Sequence, residues 1–368
     1  MTRPSSRLFR LFLGSVYAAL LNSALAVELE RYEFQEQKMG VPASLILYAP
    51  DEEKAKEAAA AVWKKFDELN AILSDWDSES EIIQVCRRSE ETDGFVPISD
   101  DLRRALEESK KYCELTGGAF DATVGPIVKL WRRSRYFHEL PPESALATAK
   151  KKVGLDAWEL DERGVRVEKN VRFDVGGIAK GIVMDEALEV LRDFGITSAL
   201  INASGDLRIG DPPPGKKGWI VGIASLGDEP ACYRELANVG VASSGDANRY
   251  VEINGVRYSH IIDPRSCEPL TRRCVAAVVA PTATTADALA SALCVLGVEE
   301  APAAFEKIRC EGIGDGKELT PFEYVLFVVK DGAEPPYDKD KVEVYATPMF
   351  RDDPSLDPTK REELDASF

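Results

Sequence analysis

Histidine is almost absent from this 368-residue chain, which has only His138 and His260. Its seven cysteines (86, 113, 232, 267, 274, 294 and 310) show no CxxC spacing. Together these absences exclude zinc fingers and most histidine-rich metal centres. Basic charge is scarce too: 46 Lys and Arg stand against 63 Asp and Glu, a net charge of -17. No basic field therefore exists to attract a nucleic-acid backbone. Beyond the N-terminus no apolar run reaches the ~18 residues of a membrane span. What is present is ordinary globular composition, 45% hydrophobic and 30% charged, enough for one large domain or two modest ones.

Residues 1–26 have the layout of a cleaved secretory signal. Arg3, Arg7 and Arg10 come first, then the apolar stretch 11–21, then the small-residue ending Ser23-Ala24-Leu25-Ala26. The alternative is an anchor that stays attached, but the apolar stretch is shorter than a span. The first cysteine is Cys86, so none follows the signal to accept a lipid. The expectation is an exported, periplasmic protein, soluble after cleavage, with its domain over 27–350 and an acidic, proline-bearing tail over 351–368. An odd cysteine count is unusual for an oxidising compartment. Cys267 and Cys274 flank a turn, and the sequence leaves their pairing open; Cys294 reads as a buried, inert thiol.

Periodicity organises the rest. Residues 51–73 and 99–116 read as helices, the second opened by Ser99-Asp-Asp and closed at Gly117-Gly118. Residues 132–160 read as a surface excursion with one short helix over 143–153. Alternation over 165–167 and 171–175 suggests hairpin strands, followed by a Gly176-Gly177 turn and a helix over 182–194. Further strands are expected at 43–48, 199–202, 219–223, 239–243, 249–253, 256–261, 275–280 and 322–329. Asn254-Gly255 is a type I′ hairpin signal. A helix over 286–296 ends at Gly297. Strand-rich stretches broken by long helices, without regular βαβ alternation, indicate an α+β fold.

Four stretches carry side chains suited to chemistry. In Phe173-Asp-Val-Gly-Gly-Ile-Ala-Lys-Gly181 an acid ends a strand, two glycines let a ligand approach the backbone, and Lys180 sits at a helix start, a setting for anions. The plain reading is a turn that needs glycine for geometry. In Ala283-Thr-Thr-Ala-Asp287-Ala-Leu-Ala-Ser291 the carboxylate and hydroxyl share one helical face. Asp287 either complements the helix dipole or, with Ser291 and backbone carbonyls, offers Mg²⁺ the hard oxygens it prefers. Ser259-His260-Ile-Ile-Asp263-Pro264 puts a histidine beside a turn, where a structural role is the commoner one. Thr116-Gly-Gly-Ala-Phe-Asp121 is a glycine-rich helix exit, and Trp76 either stacks on a planar ring or packs.

In this order the pieces resemble the ApbE family, the FAD:protein FMN transferases. The matching stretches are 73–82, 117–131, 174–181, Asn202-Ala-Ser-Gly-Asp206, Ser243-Ser-Gly-Asp246 with Arg249-Tyr250, 258–264 and 280–297, spanning about 38–350. The resemblance implies an α+β, T-fold-like architecture of mixed antiparallel sheets and packed helices, with the cofactor cleft between two subdomains. It implies FAD as substrate and Mg²⁺ at the FAD diphosphate, bound by Asp287, Ser291 and the Gly177 carbonyl. Met39 and Trp76 would lie near the flavin, Ala119, Phe120 and Asp121 around the adenine, and Asp174, Lys180 and Ile261 would also touch FAD. The implied partner is an exported or membrane-bound redox subunit that receives FMN on a Thr or Ser hydroxyl, with AMP released. Departures from the family pattern are Ser291 for threonine, Ser204 and Cys267 for glycines, and Trp76 for tyrosine.

As a mechanism, His260 accepts the proton of the incoming hydroxyl, with Asp246 or Asp263 either orienting it or serving as the base instead. Two rivals use the same residues. A Mg²⁺-dependent FAD pyrophosphatase would let water attack, and a non-catalytic exported protein would hold FAD intact.

Overall fold

The structure is a computed structural model and describes residues 28–227, 229–246, 249–311, 322–330, 332–333 and 340–351. The expected signal, and the expected tail beyond Arg351, lie outside the described residues.

The frame is an eight-stranded antiparallel sheet. Its strands are β1 (Glu30–Lys38), β2 (Val41–Ala49), β3 (Ala199–Ala203), β4 (Asp206–Ile209), β5 (Val239–Gly245), β6 (Cys274–Ala280), β7 (Glu323–Val329) and β8 (Val342–Ala346), lying side by side in that order. Alternation sorts their side chains. Leu45, Leu47, Ile201, Ala276 and Val278 face a large core shared with the helices. Leu200, Ile209, Val241, Ala277 and Val279 face a smaller core closed by the ribbon Trp219–Ile223 with Cys232–Leu236. Buried on both faces, β6 reads as an unbroken apolar run.

Five helices matter for the site: α1 (Glu52–Leu73), α2 (Asp100–Leu115), α3 (Gly125–Phe137), α4 (Ala179–Asp193) and α5 (Ala283–Glu311). The Asp51 carboxylate caps α1 by accepting from Lys54 N at 2.8 Å, and Ser99 caps α2 by accepting from Leu102 N at 3.2 Å. The start of α5 is fixed from another helix. Asp185 of α4 accepts from Ala283 N and Thr284 N at 3.0 and 2.9 Å and also pairs with Arg208. The two helices approach so closely at Gly181 that a Cβ there would lie 2.4 Å from the Ala283 carbonyl oxygen. That contact sets the register of α4 against α5, and so of Lys180 against Asp287.

At Gly297 (φ 64°, ψ -162°) α5 breaks where the sequence expects it to end, then resumes. The Arg272 guanidinium donates to the Cys294 and Val295 carbonyls, both at 2.6 Å, whose helical partners the break removes. By length and apolarity alone 283–309 would cross a membrane, contrary to the sequence expectation. Much of it is instead buried in the protein core, which is why it is so apolar.

Two expectations change, and one open question closes. Residues 132–137 continue α3 rather than opening a loop. Gly164–Val167 pairs with Trp158–Asp161, not with 171–175. Val171, Phe173 and Val175 alternate because they are buried one by one, while the backbone N–H of Asp174 donates to Ala122 O at 2.7 Å. Cys274 lies beside Cys294 rather than Cys267, which packs near Ile127 and Trp131.

Candidate functional site

The loop 173–181 delivers Lys180 at the first turn of α4, and the turn after β3 delivers Asp206. The Lys180 ammonium donates to Asp206 Oδ2, and Asp287 Oδ1 lies 3.8 Å from the same nitrogen. Both carboxylates are anchored by backbone. Asp206 Oδ1 accepts from Ser243 N at 2.9 Å, and Asp287 Oδ2 from Gly181 N at 3.2 Å. Asp206 and Asp287 are 2% and 5% exposed. Burial opposes the charge on Lys180, but Asp287 and Asp206 outweigh it and raise its pKa. Burial pushes the Asp287 carboxyl up to about 6, against the pull of Lys180. Two buried carboxylates thus share one ammonium.

One turn along α5 from Asp287, the Ser291 hydroxyl faces Gly177. A Cβ on Gly177 would stand 3.0 Å from Ser291 Oγ and 3.3 Å from the buried Phe120 ring. Glycine there keeps open the space beside the Ser291 hydroxyl, one helical turn from the Asp287 carboxylate. Among the described residues no group of three His, Cys, Asp or Glu forms a self-sufficient metal cage. This donor set suits a hard cation that completes its shell with water or ligand oxygen, as Mg²⁺ does.

Positive charge converges above this floor. His260 Nδ1 lies 3.2 Å from the Arg249 carbonyl oxygen, which can only accept, so Nδ1 carries the hydrogen and Nε2 the lone pair. Burial, then Arg249 and Arg135, with a smaller push from Lys180, lowers the His260 pKa to about 4, so the ring is neutral at pH 7. Arg135 is lowered too, by burial and by its neighbours Arg132 and Arg249. Among the described residues neither Arg135 nor Arg249 has an acidic partner.

Beside the same loop, Arg132 bridges Asp174 (3.1 Å) and Asp75 (2.6 Å) and lies 4.0 Å over the exposed Trp76 ring. Burial and Asp75 raise the Asp174 carboxyl to about 6, against Arg132. Met39 (φ 52°) is at the tip of the β1–β2 hairpin. Ser204 N donates to Pro42 O beside that tip, which places Met39 at the end of the sheet that carries Asp206. Ala119 and Phe120 are buried, and Asp121 caps the next turn by accepting from Thr123 N and Oγ1 at 2.7 and 2.6 Å. Gly117, Gly118 and Asp121 line a hollow of about 410 Å³ together with Pro264 and Arg265. Ile261 is buried in the main core. Ser204 and Cys267, which stand where the family pattern has glycine, adopt φ of 56° and 64°, a conformation glycine takes freely.

Two acids the sequence proposes as base or orienter are engaged elsewhere. Asp246 accepts from Arg257 Nε at 2.9 Å and Cys274 N at 3.3 Å. Asp263 is held by Arg265 through 3.0 and 2.9 Å bonds. Neither is among the charges that shift His260. Sequence reasoning also missed roles for Asp206, Arg132, Arg135 and Arg249. Asp206 and Arg249 stand inside quoted motifs, whereas Arg132 and Arg135 were hidden in a stretch read as loop.

The ApbE family model matches residues 39–313. A Haemophilus influenzae FAD:protein FMN transferase is 31% identical over 271 residues, 69% of this chain and 76% of its own. A Klebsiella pneumoniae protein of the same name is 27% identical over 312 residues, 82% of this chain and 83% of its own. Among solved structures, the ApbE protein of Thermotoga maritima superposes with a TM-score of 0.72 at 26% identity, covering 87% of this chain and 98% of its own. The flavin transferase ApbE of Vibrio cholerae gives 0.71 at 23% identity, covering 90% and 99%.

Proposed function

The chain belongs to the ApbE family, and from that premise we propose that it is an FAD:protein FMN transferase. It moves FMN from FAD to a Thr or Ser hydroxyl of a redox protein and releases AMP. One observation carries the reading: a histidine whose Nδ1 faces the Arg249 carbonyl, and whose Nε2 has no partner among the described residues, stands within the field of Lys180, which two buried carboxylates hold. Lys180 is held as an ammonium by its two carboxylates, and transfer to an outside hydroxyl needs no nucleophile of the protein's own.

The chemistry follows from charge placement, as it does in phosphoryl transfer generally. Arg135 and Arg249 suit the diphosphate oxyanions, for which they have no competing carboxylate among the described residues. His260 Nε2 takes the proton of the acceptor hydroxyl as that oxygen bonds to the phosphorus of the FMN half. The bond from that phosphorus to the bridging oxygen breaks, and the oxygen leaves with AMP. Mg²⁺, held by Asp287, Ser291 and the Gly177 carbonyl, supplies charge neutralisation at the diphosphate when bound. Lys180 fixes the spacing of Asp206 and Asp287, and Arg132 holds Asp174 and Trp76 at the flank where the flavin is expected.

We also place the reaction outside the cytoplasm, on the signal-like residues 1–26. N-terminal sequencing of the protein recovered from a cell-envelope fraction tests that. The activity itself is tested by mixing purified protein, FAD, Mg²⁺ and candidate exported redox subunits. Yellow fluorescence should stay on a subunit through denaturing electrophoresis and vanish when a chelator is added beforehand. Free FMN and AMP with no labelled subunit would make the protein a pyrophosphatase, and unaltered FAD would make it a binder.

A further inference from the structure

We propose that the outer end of α3, formed by Arg133, Tyr136 and Phe137 with Leu140 just beyond, is the docking surface for the acceptor protein. The acceptor meets it with an acidic segment that also carries apolar side chains. This deepens the transferase reading and rests on it.

Three large side chains in this short stretch are left in water. Tyr136 is 80% exposed, Phe137 55% and Leu140 47%. The Tyr136 and Phe137 rings meet edge to face with centroids 4.8 Å apart, and the Arg133 guanidinium lies 5.4 Å over Phe137. Single exposed apolar residues need no explanation, but a clustered set rimmed by charge marks a contact surface, and Tyr, Phe and Arg are the types such surfaces favour. His138, in the left-handed conformation (φ 55°), ends the helix just past the two aromatics.

Charge states what binds there. Between residues 129 and 140 stand Lys129, Arg132, Arg133 and Arg135 against the single acid Glu139, in a chain of net charge -17. Arg132 and Arg135 turn to the site, where they meet Asp174 and His260. Arg133 is exposed and has no carboxylate partner among the described residues. The surface is therefore continuous with the site through a single helix: Tyr136 follows Arg132 by one turn, and Arg132 lies over Trp76. The remaining surface is acidic overall and repels an acidic partner, so this basic, aromatic end also orients it.

The test compares Arg133→Glu and Tyr136→Ser/Phe137→Ser with the unaltered protein; all three positions are exposed and none belongs to the site. The probes are FAD, a redox subunit that the unaltered protein flavinylates, and a peptide cut closely around that subunit's modified Thr or Ser. KM for the whole subunit should rise about tenfold in the serine pair and about fivefold in Arg133→Glu, and for Arg133→Glu it should also lose most of its salt dependence. The turnover rate, FAD affinity and transfer to the peptide should stay within about twofold. An unchanged KM for the subunit overturns the proposal. So does an equal loss with the peptide, or a loss of FAD affinity, which would give the surface to the dinucleotide. A dimer-to-monomer change in sedimentation at constant KM would give it to a second copy of the chain. If the unaltered protein binds FAD but labels no subunit, the transferase reading fails before any variant is made, and this proposal falls with it.

Discussion

Lys180, at the floor of the site, has two carboxylates around its ammonium, whereas Arg135 and Arg249, at the rim, have none among the described residues. The floor is buried and holds two carboxylates to one ammonium: three of the four carboxylate oxygens accept from a backbone N–H or the lysine, and Asp287 Oδ1 lies 3.8 Å from the lysine nitrogen. The rim is partly in water, carries like charges against one another, and pushes its own histidine towards neutrality. A protein does not crowd cations around a histidine for stability, since the repulsion is a cost. The contrast teaches which part waits for which charge: the floor presents oxygen to a cation, and the rim presents cations to an anion. A metal–diphosphate pair satisfies both at once.

The sharpest way to break this contrast is at Asp287. Asp287→Asn keeps the shape and the bond from Gly181 N but removes the anionic ligand. Transfer should fall about a thousandfold or more, the scale on which metal-assisted charge stabilisation acts. Titration of Mg²⁺ into the FAD complex should lose its heat. Because Lys180 keeps Asp206, the fold should survive, and circular dichroism should show an unchanged melt within about 2 kcal/mol of stability. Activity within threefold of the unaltered protein would remove the metal from the floor.

His260→Ala should cost about a hundredfold to ten-thousandfold in transfer, the range of a positioned base. FAD affinity should hold or improve slightly. The His260 ring itself, followed by its proton signals, should stay neutral well below the pH at which an ordinary histidine protonates, because burial and the rim cations lower its pKa to about 4. A ring titration centred near 6.5 would show the rim cations do not act on this ring, and transfer at full rate by the alanine variant would leave the site without its base.

Much of this contrast was legible in the residues. Lys180 after two glycines and the Asp287–Ser291 pair are local patterns, and local spacing is what sequence carries well. So are the cap of α2, the Asn254-Gly255 turn (φ 53° and 78°) and the break at Gly297. The failures come from what distance in the chain conceals. The arginine partners of Asp246 and Asp263, Arg257 and Arg265, are contacts through space that the motif spelling does not show. The rim was missed because α3 buries a narrow stripe, Ile127, Trp131 and Ser134, beneath a run of arginines that reads as loop. Residues 171–175 alternate like a strand, yet burial rather than pairing sets the alternation.

A milder lesion tests the rim alone. Arg249→Gln should weaken FAD binding about tenfold, the worth of one charge-assisted contact to an oxyanion, and Arg135→Gln somewhat less. Isothermal titration at two salt concentrations should show the loss shrinking as salt rises, because part of what is removed is long-range attraction. Equal affinity in the variants would place the diphosphate elsewhere.

The smallest effect is the most specific, and the scarcity of histidine makes it measurable. With only His138 and His260 in the chain, ring proton signals can be assigned by removing one. Burial is the largest cause of the depressed His260 value, and Arg249 and Arg135 come next. In the Arg135→Gln/Arg249→Gln protein the value should therefore climb from about 4 towards 6.5 without reaching it, because burial persists. The sign carries over to stability. A histidine harder to protonate folded than unfolded leaves the unfolded chain binding the extra proton, so the native state weakens as pH falls from about 6.5 towards 4. That acid weakening should be shallower in the double variant, since the folded ring accepts its proton sooner. If the His260 titration does not move, the arginines do not bear on the ring, and the rim is not the electrostatic unit that separates it from the floor.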